Sequence, residues 1–210
     1  EIRLSLVGSE MCIRDRGQDM EHDVLLEMKN ISKITMAVSK TVEILHWAGA
    51  VFSAALLVCS FAAKDWLFDV VSKLIPEYGN EVSTYGFEMT AVDENGLLDM
   101  TVIRLFAIGS VIILSLMAMV FRNVYLVAKK SENDPFNKDN IRMIREIGIF
   151  SLSVPVIGFI MSVISRIVIG VEKAEIVVRI DGLILGILIL FITQIFVYGA
   201  ELQNDVDGLL

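Results

Sequence analysis

The residues best equipped for chemistry are few and stand apart. His46, Cys59 and Asp181 each lie in or beside a long apolar run. Nucleophilic or acid–base catalysis needs such groups within hydrogen-bond reach of one another, and a metal needs several of them converging. These three belong to different runs at different depths, and the other histidine, His22, precedes the first run. No catalytic, cofactor-binding or metal set is therefore expected, and an enzyme is the least favoured class. The acids between 64 and 101 (Asp65, Asp69, Glu77, Glu81, Glu88, Asp93, Glu94 and Asp99) lack the ordered spacing of a calcium loop and read as a solvated face. Opposite charge gathers around 131–148, SENDPFNKDNIRMIREIG, where Arg122, Lys129, Lys130, Lys138, Arg142 and Arg145 cluster. That pattern suits recognition of anionic lipid or of a protein partner rather than reaction.

The elements that must hold these residues are membrane helices. Of 210 residues, 55% are hydrophobic and 21% charged, too apolar for an ordinary soluble domain. Four apolar runs, about 44–63, 102–126, 147–169 and 180–198, approach or exceed the roughly 20 residues that a bilayer core of about 30 Å requires. The expected fold is an all-α integral membrane bundle of four transmembrane helices. The net charge of -8 is misleading, because the two signs are segregated along the chain. Lysines and arginines near span ends mark the cytoplasmic side. The basic 131–148 connection, with Lys29, Lys33 and Lys40 before the first span, then places both termini inside; the mixed-sign 166–179 connection argues mildly against this.

Several local signals refine the picture. Trp66, Leu67, Val70, Val71 and Leu74 recur at helical spacing until Pro76, predicting a short amphipathic helix on the outer surface. Tyr85, Phe87, Met89 and Ala91 then alternate with polar or small residues, and Asn95-Gly96 is a strong turn signal, so a small extracytoplasmic β-hairpin is expected between the first two spans. In 131–148, Asn137 is a good N-cap, Phe136 and Ile141 have the spacing of a hydrophobic staple, and Asp139 suits the helix dipole; a short helix on the membrane surface is expected to precede the third span. Pro155 should kink the third span, healed by Ser151 or Ser153 hydroxyls. Gly158 with Ser162, and Gly182 with Gly186, are small-xxx-small pairs suited to helix packing, the latter open to a homo-oligomer. Asp181 and Arg104 should both lie near the outer surface and could pair, and Gln194 should bond across to another helix. Residues 204–210 should fray.

Residues 4–16, LSLVGSEMCIRDR, resemble translated sequencing-adapter read-through. Residues 1–27 are accordingly set aside as an artefactual or disordered leader, with Met28 favoured over Met20 as the start and 28–203 as the membrane domain.

Two pieces at the same side of the membrane, 133–148 (NDPFNKDNIRMIREIG) and 194–210 (QIFVYGAELQNDVDGLL), carry a family likeness. Through Pro135, Phe136, Asn140, Arg142, Arg145, Ile147 and Gly148, then Phe196, Gly199, Leu202 and Gln203, the chain resembles the bacterial membrane family catalogued as domain of unknown function 2975, over about 28–210. The resemblance implies a four-span protein of the bacterial cytoplasmic membrane, without an assigned activity or cofactor, often encoded beside a small helix-turn-helix transcription regulator. The expected role is a regulatory or interaction module that touches such a partner, or lipid, through Lys138, Arg142, Arg145, Phe136, Tyr198 and Gln203, with no direct nucleic-acid contact. A small transporter, channel or immunity protein against membrane-active peptides is the alternative. Mass analysis of the protein from its native source should find an N-terminus at Met28; adapter-like residues in the product would overturn that assignment.

Overall fold

The computed structural model describes the backbone of residues 2–78, 81–92, 98–131 and 137–207, and the side chains of those residues from 29 onward apart from 72, 74–78, 204 and 207. The Asn95-Gly96 turn signal, the staple residue Phe136 and the leader side chains lie outside the described residues. The long elements are α1 (Ile2–Ala62), α3 (Met100–Lys130), α4 (Lys138–Ile169) and α5 (Ile180–Asp207). Between α1 and α3 come α2 (Lys64–Tyr78), β1 (Glu81–Thr84) and β2 (Phe87–Thr90), and β3 (Ala174–Glu175) precedes α5. Four stretches are long and apolar enough to cross a membrane: Lys29–Ala62, Met100–Lys130, Lys138–Ile169 and Ile180–Gln203.

The helices run past their expected ends. Lys138–Ile169 is one continuous helix, so the basic segment is the first turns of the long helix and not a separate surface helix. Asn137 caps it, its side chain accepting from the Asp139 N–H at 2.9 Å. With the first orphan donor satisfied there and no breaker before Pro155, nothing in the sequence interrupts the helix. At the other end of the chain α5 continues to Asp207, beyond the expected fraying point. Likewise α2 passes Pro76 and ends at Tyr78. Its Leu67 is buried with Ala91, Leu98, Met100 and Ile103, while Trp66 faces outward.

The helices do not close into a bundle. Among the described residues α1 packs on α3, α3 on α4 and α4 on α5, with no contact of α1 with α4 or α5, or of α3 with α5. The result is an open row of antiparallel neighbours with α1 and α5 at its edges. In lipid such a row is stable without a second layer, since the tails are as apolar as the exposed Leu and Ile side chains. Polar contacts fix the register. Ser32 Oγ donates to the Ala128 carbonyl at 3.0 Å, Arg104 Nη2 to the Ser60 carbonyl at 3.0 Å, and Asn123 Nδ2 to Glu146 Oε2 at 3.1 Å. The glycine pair of α5 is consumed by α4: a Cβ at Gly182 would meet the Pro155 ring at 3.2 Å, and one at Gly186 would meet Leu152 at 2.9 Å. That face therefore packs within the chain and is not open to a second copy. It also sets α5 half a helix out of step, with Asp181 level with the middle of α4.

The sheet is the unexpected centre of packing. The strand alternation is as the sequence suggests, with Phe87, Met89 and Ala91 buried and Glu88 exposed. The two-residue turn, however, is Tyr85-Gly86, joining β1 and β2 in antiparallel register Glu81↔Thr90 to Thr84↔Phe87. Only the second turn residue needs positive φ, and Gly86 supplies it at 99°. A further antiparallel bridge pairs Val92 with Leu98. β3 adds a third strand to β2, a pairing that no local sequence signal marked. The hairpin lies along α3 and α4. Its turn rests on Gly158, where a Cβ would come within 3.0 Å of Gly86 Cα, and Ser162 Oγ donates to the Gly86 carbonyl at 3.3 Å. The small pair on α4 thus receives a backbone turn, not another helix. The Phe87 ring fills the space over Gly109, where a Cβ would stand 2.5 Å from it. Gly158→Val should displace the turn and lower stability by about 1–3 kcal/mol, the usual range for overpacking, read as a lower thermal midpoint in detergent.

One ion pair ties the sheet to the start of α3. Asp99 accepts from the Thr101 N–H at 2.9 Å as N-cap and from Lys173 Nζ at 2.9 Å. Partial burial pushes its carboxyl up, but the Lys173 and Thr101 hydrogen bonds and the Lys173 charge together hold it below its ordinary value of 3.8. A lowered folded-state value means the pair stabilises above that ordinary value and loses its contribution as pH falls through the folded one. Asp99→Ala should therefore lower stability at pH 7 by about 0.5–2 kcal/mol, the N-cap range, and the gap from the parent should narrow below pH 4 in an acid titration of unfolding.

Candidate functional site

The basic end of the row collects most of the residues singled out in the sequence. Ile141 and Ile147 are buried against the row and Ile144 half-buried, which turns Arg142 and Arg145 outward. The two arginines are not equivalent. Arg142 Nε donates to Glu146 Oε1 at 3.0 Å, and Glu146 in turn accepts from Asn123 of α3. Arg145 is exposed and makes no ion pair among the described residues, as do Arg122, Lys129 and Lys138. Lys130 Nζ meets Asp139 Oδ2 at 2.9 Å, bracing α3 to α4 across their connection. Asn140 is wholly buried beneath this surface. By the register of α4 on α5, residues 198–203 stand at the same end, with Tyr198 and Gln203 exposed. Gln194 is also exposed, and among the described residues it makes no hydrogen bond to a neighbouring helix.

His46 has a definite structural place. Its Nδ1–H donates to the Val42 carbonyl at 2.8 Å, which leaves Nε2 facing the Tyr85 hydroxyl at 3.2 Å. The ring stacks with Tyr85 and Phe121, at centroid distances of 5.8 and 5.5 Å. It is therefore a buried link between α1, α3 and the hairpin turn. Glu43, one turn earlier, is buried and held by Lys40 at 2.9 Å, while Trp47 points outward. Cys59 makes no disulfide and borders the cluster around Leu67. His46, Cys59 and Asp181 are not brought together. Among the described residues no three of His, Cys, Asp or Glu gather where a metal ion would sit.

Asp181 and Arg104 do not pair. Arg104 reaches α1, its guanidinium 4.4 Å from the Phe61 ring centroid, at the far end of α3. Asp181 stands level with Pro155 and bonds Arg179 Nε at 3.3 Å. The half-helix offset of α5 separates the two. Pro155 itself fills the space over Gly182, and Ser153 Oγ donates to the Ile149 carbonyl at 2.8 Å, two residues before the Ser151 carbonyl that the proline frees, so the Ser153 hydroxyl does not satisfy that carbonyl.

Beside Arg179 and Asp181 a cavity of about 330 Å³ opens over α4, in the gap between α3 and α5. Met117, Val120, Val124, Ile147, Val154 and Leu185 are among its apolar walls, and Tyr85 and Gly86 of the hairpin turn close one end. Sequence reading missed it, because it depends on the turn at Tyr85-Gly86 and on the offset of α5. The dipeptide between two alternating runs was the one signal available. No family model matches the chain, nor does any curated protein or solved structure.

The ion-pairing pattern predicts unequal roles at the basic end. In nanodiscs containing anionic lipid, Arg145→Gln should weaken lipid retention about fivefold, from roughly 1 kcal/mol for a free basic residue near the surface. Arg142→Gln should cost less, since Glu146 already neutralises Arg142. Native mass spectrometry of the bound lipid distinguishes the two.

Proposed function

We propose that the chain is a regulatory or interaction module of the bacterial cytoplasmic membrane, with both termini cytoplasmic, that engages a cytoplasmic partner such as a helix-turn-helix regulator through its basic end. The observation that carries the reading is the gathering of exposed, unpaired Lys129, Lys138, Arg145 and Arg122 at one end of four apolar helices, with 198–203 at the same level. Lysine and arginine near span ends orient membrane proteins toward the cytoplasm. An uncompensated basic face also recruits an acidic protein surface faster and more selectively than a neutral one. The described motif residues behind the resemblance to domain of unknown function 2975, Asn140 to Gly148 and Phe196 to Gln203, lie at this end, and that resemblance supplies the class of partner. Crosslinking from position 145 in membranes should capture a cytoplasmic regulator and fail with Arg145→Glu. Unchanged expression of that regulator's target genes on deleting the membrane protein would overturn the reading.

Solute passage is the second reading. It is favoured by the β-turn and the start of α5 at the mid-level of α4, since interrupted elements at mid-depth commonly line transport sites. Flux through proteoliposomes, absent when the cavity is filled by Val124→Trp, would support it over the first.

A further inference from the structure

We propose that the cavity between α3, α4, α5 and the hairpin turn is a binding site for a zwitterionic phosphoethanolamine phospholipid, with one acyl chain lying over α4 and the headgroup at Arg179 and Asp181, where the late start of α5 draws the bilayer surface beside it inward to that level. The site is independent of any partner at the basic end.

Shape argues for a chain-like apolar occupant. The volume of about 330 Å³ falls in the range of ligand sites. The space runs from Arg179, Asp181 and Tyr85 at one end past Val154 and Leu185 to Val124, Ile147 and Ile189 at the other. Because α3 and α5 do not touch among the described residues, it opens sideways, and the outer surface of α5 beside it carries exposed Ile184, Leu188 and Phe191. A lipid tail can enter from the side, whereas a soluble zwitterion must cross that apolar surface. This favours the lipid as the source.

Charge selects the headgroup. Arg179 uses Nε on Asp181, and neither Nη of its guanidinium has a hydrogen bond among the described residues. Two such free donors on one planar guanidinium suit a phosphate in forked geometry. The Asp181 carboxylate beside them is exposed and offers an acceptor for an ammonium. A headgroup carrying both signs satisfies both partners; an anionic head meets Asp181 as a like charge and a cationic one meets Arg179, each unfavourable at this distance near an apolar wall. The turn that closes the site is itself fixed, by Gly158 and Ser162 under Gly86 and by His46 against Tyr85, so the site is preformed.

The test uses the full chain in nanodiscs of mixed phosphatidylethanolamine and phosphatidylglycerol with a tail-photoactivatable phosphatidylethanolamine. Label is expected on peptides containing 117–124, 147–155 and 182–189, displaced by unlabelled phosphatidylethanolamine at about tenfold lower concentration than by phosphatidylglycerol, and not displaced by free phosphoethanolamine. Displacement by free phosphoethanolamine would show a headgroup site for a soluble zwitterion and overturn the lipid assignment. Arg179→Gln should reduce labelling about tenfold, the equivalent of one charge-assisted hydrogen bond, with Arg179→Lys losing less. Val124→Trp should block it with Arg179 intact, and an unchanged thermal midpoint in that variant excludes unfolding as the cause. Equal displacement by the two phospholipids, label elsewhere on the chain, or full labelling in both Arg179→Gln and Val124→Trp would each overturn the proposal.

Discussion

The seat of the Gly86 turn on Gly158 is the constraint from which the rest of the structure follows. A strand pair lying along apolar helices brings with it backbone N–H and C=O groups that must be satisfied within the protein. The pairing of β1 with β2, the addition of β3 and the Ser162 hydrogen bond to the Gly86 carbonyl meet part of that demand. Close approach at Gly158 and Gly109 lets the turn and the Phe87 ring lie between α3 and α4 without splaying them. Once the turn is there, Tyr85 can reach His46 on α1, and its other side closes the cavity toward α5. One backbone contact thereby connects the two edges of a row whose outer helices do not touch among the described residues.

Length, apolarity and charge made the helices legible, and the capping of α4 by Asn137 followed from residue type alone. The strand alternation at Phe87, Met89 and Ala91 was equally visible. What could not be read was pairing at a distance. Gly158 and Ser162 announce a place of close approach, yet small residues accept a helix and a backbone turn equally well, so their spacing does not name the occupant. Gly182 and Gly186 show the same ambiguity, being used inside the chain by Pro155 and Leu152. Asp181 and Arg104 seemed companions because each begins an apolar run; the offset of α5, created by the extended return through β3, parts them. Signals that depend on one element's own period were dependable, and those that need the relative height of two elements were not.

The basic end and the cavity divide the molecule's polar resources differently. At the basic end several cations stay exposed and unpaired, with Arg142 partly neutralised by Glu146 and Lys130 by Asp139. Near the cavity Arg179 and Asp181 balance each other. A long-range field therefore projects from the first and hardly at all from the second, so contacts at the basic end weaken with salt more steeply than those at the cavity.

The displacement of α5 has a consequence for the surrounding bilayer. In the register of α1, α3 and α4, Lys40, Arg122 and Glu146 stand at one height and Arg104 and Arg166 at another, about 20 residues or roughly 30 Å away. On α5 the charged limits are Asp181 and Glu201, also about 20 residues apart but shifted by about 15 Å toward the basic end. A flat hydrocarbon slab can match three helices or the fourth, but not all of them. Lipid beside α5 must then dip relative to lipid beside α1, and the row acts on its membrane as a step, gathering short or loosely packed lipids along one edge.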